Sequence, residues 1–260
     1  MRPVLFHLGG FDIPTHDFFV VLGVLVAVAV FGLEVARRGV GDRRLGWVVA
    51  GAILTGAIFA RISTAWKYLA AEPDPSLFGL WLHGGKSVLG GLAGAYIGAV
   101  ATKRLVGYRS HTGDLFAPAV ALGMAVGRVG CFLTEQLGTP TSLPWGIEVS
   151  PATAATMPFC PQCSLGVRLH PSFAYEITFL LVLFGVLVAL RHRHLPDGEL
   201  FKIFLAAYAT FRLLIEFVRA NPAMLGPFSG SQVFLMLTMP LLVLHFVAQA
   251  RRGAYRMATA

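Results

Sequence analysis

The sequence predicts an all-α integral membrane protein with seven transmembrane helices. Of its 260 residues, 56% are hydrophobic and only 13% are charged, whereas a soluble domain carries roughly 25% charged residues. The apolar residues form runs of about 20, the length with which a helix crosses the hydrocarbon core of a bilayer. Because no alternating ten-residue pattern typical of a membrane barrel occurs, we expect one polytopic helical domain over residues 1–260.

The predicted spans follow from seven apolar windows. They are Phe18–Ala36, Leu45–Ala65, Ser87–Leu105, Leu115–Leu133, Phe173–Leu190, Leu200–Val218 and Phe228–Ala250. The connector between helices four and five, residues 134–170, is long and rich in proline, and such connectors are usually functional or disordered. Its residues Trp145, Ile147, Phe159 and Leu169 favour an ordered arm that rests on the bilayer surface.

Charges in the connectors predict the orientation. Twelve lysines and arginines follow the first, third, fifth and seventh windows, and only four lie on the opposite side. Since cytoplasmic loops carry the excess of basic residues, the N-terminus is predicted outside and the C-terminus in the cytoplasm. The net charge of +8 is spread in short clusters between apolar runs, which indicates a lipid bilayer as partner and no nucleic acid.

Arg128 is the first candidate for a functional residue. It lies in the outer half of the fourth window, and no opposite charge accompanies it there. An arginine in the middle of a membrane helix costs roughly 2.5–3.5 kcal/mol, which makes it a functional candidate. Gly123, Gly127 and Gly130 predict close helix packing around it. The structural alternative is that its side chain snorkels to the lipid head groups.

A polar stripe marks the sixth window. Tyr208, Arg212, Glu216 and Arg219 are spaced so that one face of a helix would carry them all. Arg212 and Glu216 could simply neutralise each other as an i,i+4 pair. Together with Arg128, however, the stripe is net positive and reaches the outer half of the bilayer. An anionic group, most simply a lipid phosphate, is the partner expected there.

Four weaker signals complete the set. Glycine pairs in His83–Gly91, where the third window begins, permit close backbone approach and an anion at a helix start. Arg61 could bind the same anion or snorkel to the head groups, and His16 could transfer protons near neutral pH or be structural. Cys160 and Cys163 could form a local disulfide or provide two ligands of a metal site. Two ligands alone are too few for a zinc site.

Taken together, the motifs resemble those of the prolipoprotein diacylglyceryl transferase family, integral enzymes of bacterial plasma membranes. Gly127-Arg-Val-Gly-Cys-Phe132 and Gly138-Thr-Pro-Thr-Ser-Leu-Pro-Trp145 are similar to the family's GRxGNF and GxPTxLPW. His170-Pro-Ser-Phe-Ala-Tyr-Glu176 is similar to HPSQLYE, Phe211-Arg-Leu-Leu-Ile-Glu-Phe-Val-Arg219 to FRFxxEFxR, and Gly84-Gly-Lys-Ser-Val-Leu-Gly-Gly91 to GGMSFHGG.

The resemblance implies a reaction, its partners and its residues. The family moves a diacylglyceryl group from phosphatidylglycerol to the lipobox cysteine thiol of preprolipoprotein signal peptides at the bacterial inner membrane. No metal or other cofactor is implied. Arg128 and Arg212 would be catalytic by holding the phosphate, and His16 is our own candidate for the base. The expected substrate-binding residues are Arg128, Arg61, Glu216, Arg219, Gly90, Gly91 and Tyr175.

Three positions depart from the family's pattern. Its histidine in GGMSFHGG falls on Leu89, its asparagine after GRxG on Cys131, and its tyrosine near helix one on His16. Either His16, or alternatively His83 or His170, acts as the base, or the protein is a non-catalytic paralogue that binds phospholipid or lipoprotein. A small-molecule transporter is a third hypothesis, against which the sequence shows no repeated halves.

Overall fold

The computed structural model describes residues 3–71, 76–77, 79–80, 85–134, 137–151, 165–193 and 195–255. Within these ranges the protein is mostly helical, and a helix occupies each of the seven predicted windows. One further short helix, α3, follows the second window. The helices are α1 Thr15–Arg37, α2 Arg44–Ile62, α3 Ala65–Ala71, α4 Val88–Leu105, α5 Gly113–Thr134, α6 Ser172–Leu190, α7 Glu199–Ile215 and α8 Gly230–Arg251.

Among the described residues, five helices are long and apolar enough to cross a membrane, namely α1, α2, α5, α6 and α8. The prediction of an all-α membrane protein agrees with this at the level of fold class. Helix α4 is less apolar because it contains four glycines and ends on Lys103 and Arg104. Helix α7 has only 17 residues. A count of seven spans therefore remains a prediction.

Short antiparallel strand pairs, which the sequence did not predict, lie outside the helices. They are β1 Val4–Leu8 with β2 Phe11–Pro14, β3 Ile147–Glu148 with β4 Arg168–Leu169, and β5 Ala223–Leu225 with β6 Phe228–Ser229. The first pair turns through Gly9 and Gly10, both of which have positive φ, as a tight hairpin requires. Strands of two to five residues are too short to show a period in the sequence.

The chain forms two compact units, one of Met1–Arg38 with His111–Ala260 and one of Gly39–Ser110. The first unit contains α1 and α5–α8, and the second contains α2–α4. The single-domain organisation stays a prediction.

Helix α5 lies at the centre of the first unit. About 56% of its apolar window is buried, whereas the other helices able to span a membrane bury 6–28% of theirs. Glycines bring it against α1, because a Cβ atom on Gly123 would lie 2.7 Å from the carbonyl oxygen of Gly23. A Cβ atom on Gly130 would lie 2.9 Å from the Cβ atom of Phe19. The predicted close packing around Arg128 is thus confirmed, and it turns Arg128 toward protein rather than lipid.

Helices α2 and α4 pack against each other in the second unit in the same way. A Cβ atom on Gly56 would lie 3.2 Å from the carbonyl oxygen of Gly91, and one on Gly90 would lie 2.9 Å from that of Phe59. Across the same contact, the hydroxyl of Thr55 donates a hydrogen bond of 2.8 Å to the carbonyl oxygen of Gly94.

The described part of the predicted arm is ordered. Leu137, Val149 and Leu169 form a small buried core, against which Ile147 of β3 packs. The amide of Gly138 donates to the carbonyl of His170 at 2.8 Å, and the amide of Thr139 donates to that of Val218 at 2.9 Å, beside the end of α7. Phe159, Cys160 and Cys163 lie outside the described residues, so their predicted roles are untested.

Candidate functional site: a buried cluster of arginines and carboxylates

A buried ion pair joins α5 to α6. Arg128 Nε lies 2.9 Å from Oε1 of Glu176, and the Tyr208 hydroxyl, on α7, donates to the same oxygen at 2.7 Å. Glu176 is fully buried, and Arg128 is 7% exposed. The expectation that Arg128 is uncompensated is therefore wrong: its partner comes from near the start of another helix, distant in sequence.

A second ion pair lies at the end of α7. Arg212 Nη1 is 2.6 Å from Oε2 of Glu216, so the predicted i,i+4 pairing is confirmed. The other carboxylate oxygen of Glu216 accepts hydrogen bonds from the Ser229 hydroxyl at 2.6 Å and from the Asn221 amide at 2.7 Å. Since Ser229 also caps α8, Glu216 ties the start of α8 to the end of α7.

Arg219 does not lie on the predicted helical stripe. Helix α7 ends at Ile215, a 3₁₀ turn covers Glu216–Val218, and the Arg219 backbone is extended. Its side chain nevertheless returns to the site: Nη1 is 3.5 Å from Oε2 of Glu176, and Cζ is 4.4 Å from the centre of the Phe173 ring. An arginine stays charged at neutral pH, so Arg219 adds a positive charge beside Glu176.

Six residues thus form what we call the charge cluster: Arg128, Glu176, Tyr208, Arg212, Glu216 and Arg219. Its three arginines and two carboxylates leave one excess positive charge. Because buried ionic groups need compensation, the cluster as a whole is suited to one monovalent anion.

Several guanidinium donors of the cluster make only weak contacts. Arg128 Nη1 lies 3.6 Å from Cys131 Sγ, and Nη2 lies 3.5 Å from the Tyr208 oxygen, which is long for a hydrogen bond. Arg212 Nη1, in contrast, already pairs with Oε2 of Glu216 at 2.6 Å. Buried polar groups are normally satisfied, so the Nη1 and Nη2 donors of Arg128 are available for an anionic oxygen.

His16 is positioned beside this part of α5. A Cβ atom on Gly130, two residues beyond Arg128, would lie 3.1 Å from the His16 carbonyl oxygen. The His16 ring nitrogen Nδ1 is 3.2 Å from Oδ1 of Asp17. The structure therefore brings the first turn of α1 to the segment that carries Arg128. The role of His16 as a base stays a prediction.

Tyr175 faces the arm. Its hydroxyl accepts a hydrogen bond from Trp145 Nε1 at 2.8 Å and lies 3.2 Å from His170 Nδ1. These contacts attach the arm to α6, next to Glu176 in sequence. A substrate-binding role for Tyr175 stays a prediction.

Three predicted substrate-binding residues, Arg61, Gly90 and Gly91, belong to the second unit. Arg61 lies in the last turn of α2. The amide of Gly90 donates to the Ser87 hydroxyl at 3.2 Å, which caps the start of α4. The close contacts of Gly90 and Gly91 with α2 give both glycines a packing role, while their binding role stays a prediction. His83 lies outside the described residues.

Glu176 is the site residue that sequence reasoning missed. Its only signal was its place at the end of the His170–Glu176 motif. The sequence indicates only that Tyr208 lies on the polar stripe, and the structure shows that its hydroxyl donates to Glu176.

An apolar groove of about 540 Å³ lies between α6, α7 and α8. It occupies the face of α7 that points away from Tyr208 and Arg212. Its lining residues are Phe179, Ile203, Ala206, Ala207, Thr210, Phe211, Leu214 and Phe246.

Comparison with known proteins agrees with these observations. The family model described as prolipoprotein diacylglyceryl transferase matches residues 3–248. A protein of Geobacter sulfurreducens is 33% identical over 93% of this chain and 95% of its own length, and one of Dehalococcoides mccartyi is 31% identical over 96% and 94%. A protein of Frankia alni is 32% identical over 84% of this chain, which spans 58% of the Frankia protein. All three are named phosphatidylglycerol–prolipoprotein diacylglyceryl transferase. The chain therefore belongs to the prolipoprotein diacylglyceryl transferase family.

Proposed function

We propose that this protein transfers the diacylglyceryl group of phosphatidylglycerol to the lipobox cysteine thiol of prolipoproteins. The observation that carries the proposal is the charge cluster, which holds one excess positive charge and unused guanidinium donors inside a helical membrane protein of this family. A phosphodiester carries a single negative charge, so its binding would neutralise the cluster.

In the proposed mechanism, Arg128 and Arg212 hold the phosphate of the lipid. The cysteine sulfur attacks the carbon of the diacylglyceryl group that is bonded to the phosphate oxygen. A sulfur–carbon bond forms, and the bond between that carbon and the phosphate oxygen breaks. Glycerol phosphate leaves with a second negative charge. Because this charge develops during bond breaking, preorganised guanidinium groups stabilise the transition state more than the bound lipid.

The thiol proton needs an acceptor, since a free cysteine with a pKa near 8.5 is mostly protonated at neutral pH. We assign this task to His16, whose backbone packs against Gly130, two residues beyond Arg128. Histidine accepts and releases protons in this pH range. The proton would finally leave with glycerol phosphate or pass to solvent.

The apolar groove between α6, α7 and α8 suits a hydrocarbon chain. Its lining is almost entirely aliphatic and aromatic, and it lies on the helix that carries Arg212. We propose that it takes an acyl chain of a lipid that lies against this face of α7.

The proposed topology has seven spans, the N-terminus outside and the C-terminus in the cytoplasm of a bacterial inner membrane. The basic connectors support this orientation. It places the charge cluster in the outer half of the bilayer, where it would meet phosphatidylglycerol and the signal peptides of preprolipoproteins.

The test is transfer of labelled diacylglycerol from phosphatidylglycerol to a synthetic lipobox peptide in proteoliposomes. A peptide with serine in place of the lipobox cysteine is the matched control, because it lacks the nucleophilic thiol. The relative from Geobacter sulfurreducens serves as reference. Absence of transfer under conditions in which the reference enzyme works would refute the proposal.

Leu89 and Cys131 favour a second candidate, a non-catalytic paralogue. Neither offers the histidine and asparagine side chains that the family's pattern places there. This candidate predicts that phosphatidylglycerol binds at the charge cluster and is not turned over. Binding without transfer in the same proteoliposomes would distinguish it from the enzyme.

A further inference from the structure

The helix ends opposite the charge cluster form a second polar site in the first unit. Helix α1 ends there at Arg37 and α6 ends at Leu190, while α5 and α7 begin there. Along α6, Arg191 lies about 22 Å from Glu176, at 1.5 Å per residue. This site is therefore separate from the proposed phosphate site.

These helix ends enclose an open recess of about 280 Å³ that we call the basic recess. Four arginines line it: Arg37, Arg38, Arg191 and Arg193. Two carboxylates, Asp114 and Asp197, also belong to its lining.

A buried carboxylate orients two of the arginines. Glu34 is 3% exposed and accepts hydrogen bonds from Arg37 Nε at 3.0 Å and from its Nη2 at 2.7 Å. It also pairs with Arg191 Nη1. Because Glu34 restricts both side chains, their guanidinium groups remain in the recess at a reduced entropic cost.

Arg38 and Arg193, the other two arginines of the basic recess, are more available to a ligand. Asp114 accepts from the amides of Gly198 and Leu200, both at 3.0 Å, and Arg38 approaches it only to 3.9 Å. In the described part of the chain, Arg193 makes no side-chain hydrogen bond or ion pair.

The charges of the recess sum to one excess positive charge. The four arginines face Asp114 and Asp197, and Glu34 lies buried behind them. The acidic groups therefore do not cancel the arginines, and an anion of one negative charge would complete the balance.

We propose that the basic recess binds a phosphate group. Guanidinium groups hold phosphate oxygens through paired hydrogen bonds, and basic pockets between membrane helices bind anionic lipid head groups. A volume of about 280 Å³ is at the small end of ligand sites, which suits a head group or free phosphate rather than an entire lipid. The proposal does not depend on the transferase activity.

Arg38 and Arg193 are the residues to change. Replacing Arg37 or Arg191 would remove a partner of buried Glu34 and could prevent folding. The double variant Arg38→Gln/Arg193→Gln removes two charges without touching that ion pair. Arg251→Gln/Arg252→Gln is the matched control, because both residues are exposed at the end of α8 and the same charge is removed.

The experiment counts phosphatidylglycerol molecules retained by each variant, using native mass spectrometry in a volatile buffer free of phosphate. We expect the wild type and the control to retain one more lipid than the double variant, whose affinity at this site falls about 25-fold, at roughly fivefold per arginine. The single variant Arg193→Gln should show the fivefold loss if the double variant does not fold. Transferase rates at saturating lipid should be equal in all variants. A failure of the phosphate-binding proposal is therefore distinguishable from a failure of the proposed transferase function.

A second arm identifies the source of the phosphate. The protein is prepared with phosphatidylcholine alone and titrated with inorganic phosphate. Retention of the additional phosphatidylglycerol alone supports a lipid head group, and saturable phosphate binding lost in the double variant supports free phosphate. Equal retention of both probes by the wild type and the double variant would overturn the proposal.

Discussion

Replacing Arg128 by lysine separates the charge of this residue from its hydrogen-bonding geometry. Lysine keeps a positive charge beside Glu176, so the buried carboxylate stays compensated, with Tyr208 still donating to it at 2.7 Å. It loses the Nη1 and Nη2 donors that we assign to the phosphate. Alanine is less informative, because breaking a buried ion pair costs about 3–5 kcal/mol and folding itself could fail.

The magnitudes follow from these contacts. Loss of a donor aimed at developing negative charge typically lowers turnover by about 100- to 1,000-fold. The contacts that Nη1 and Nη2 make within the protein are long, at 3.6 and 3.5 Å, so their loss should reduce the free energy of unfolding by about 1 kcal/mol or less. We therefore expect a large loss of activity in a folded protein.

The assay combines transfer to a lipobox peptide with thermal unfolding of the same preparation. Arg37→Lys is the matched control, because Arg37 also pairs with a buried carboxylate, Glu34, at the opposite helix ends. It should keep wild-type activity. Full activity of Arg128→Lys, or a loss no greater than the loss of folded protein, would refute the assignment of Arg128 to the phosphate.

Three further predictions concern α5 and its neighbours. Tyr208→Phe removes a hydrogen bond to a buried carboxylate, so the free energy of unfolding should fall by about 1.5–3 kcal/mol; an unchanged denaturation midpoint would contradict the observed bond to Glu176. Gly123→Ala places a Cβ atom 2.7 Å from α1 and should lower the free energy of unfolding by roughly 1–3 kcal/mol. Gly185→Ala, with open space around it, should be neutral or stabilising. Equal effects of the two substitutions would argue against close packing of α5 on α1. Cys131→Asn offers Arg128 an amide oxygen in place of a thiol. It should raise the transfer rate about fivefold, which corresponds to one hydrogen bond of roughly 1 kcal/mol. An unchanged rate in the folded variant would show that the thiol of Cys131 is sufficient for transfer.

The helices were predictable because membrane helices satisfy their backbone hydrogen bonds internally, so each needs only a sufficiently long apolar run. Every predicted window contains a helix. The end of α7 was less predictable: the stripe extended to Arg219, whereas the α-helix stops at Ile215 and a 3₁₀ turn follows. The spacing of side chains alone does not distinguish a continued helix from a turn that brings Arg219 back to Glu176.

The candidate site was partly predictable for an electrostatic reason. Arginines within apolar windows are rare and costly, so Arg128 and Arg212 could be identified from their positions in the sequence alone. Glu176 stood at the start of a window, where a carboxylate is unremarkable. Its pairing with Arg128 depends on how α5 and α6 pack, and no local pattern encodes a contact between helices so far apart in the chain.

By itself, the sequence determined the membrane class, the positions of the helices and the presence of basic side chains inside them, because hydrophobicity and charge are local properties. Only the tertiary structure decided that Arg128 is paired, that Arg219 joins the charge cluster, and that the arginines at the opposite helix ends surround a recess. Ion pairing depends on distances of a few ångströms between side chains, and these distances are set by how the helices pack.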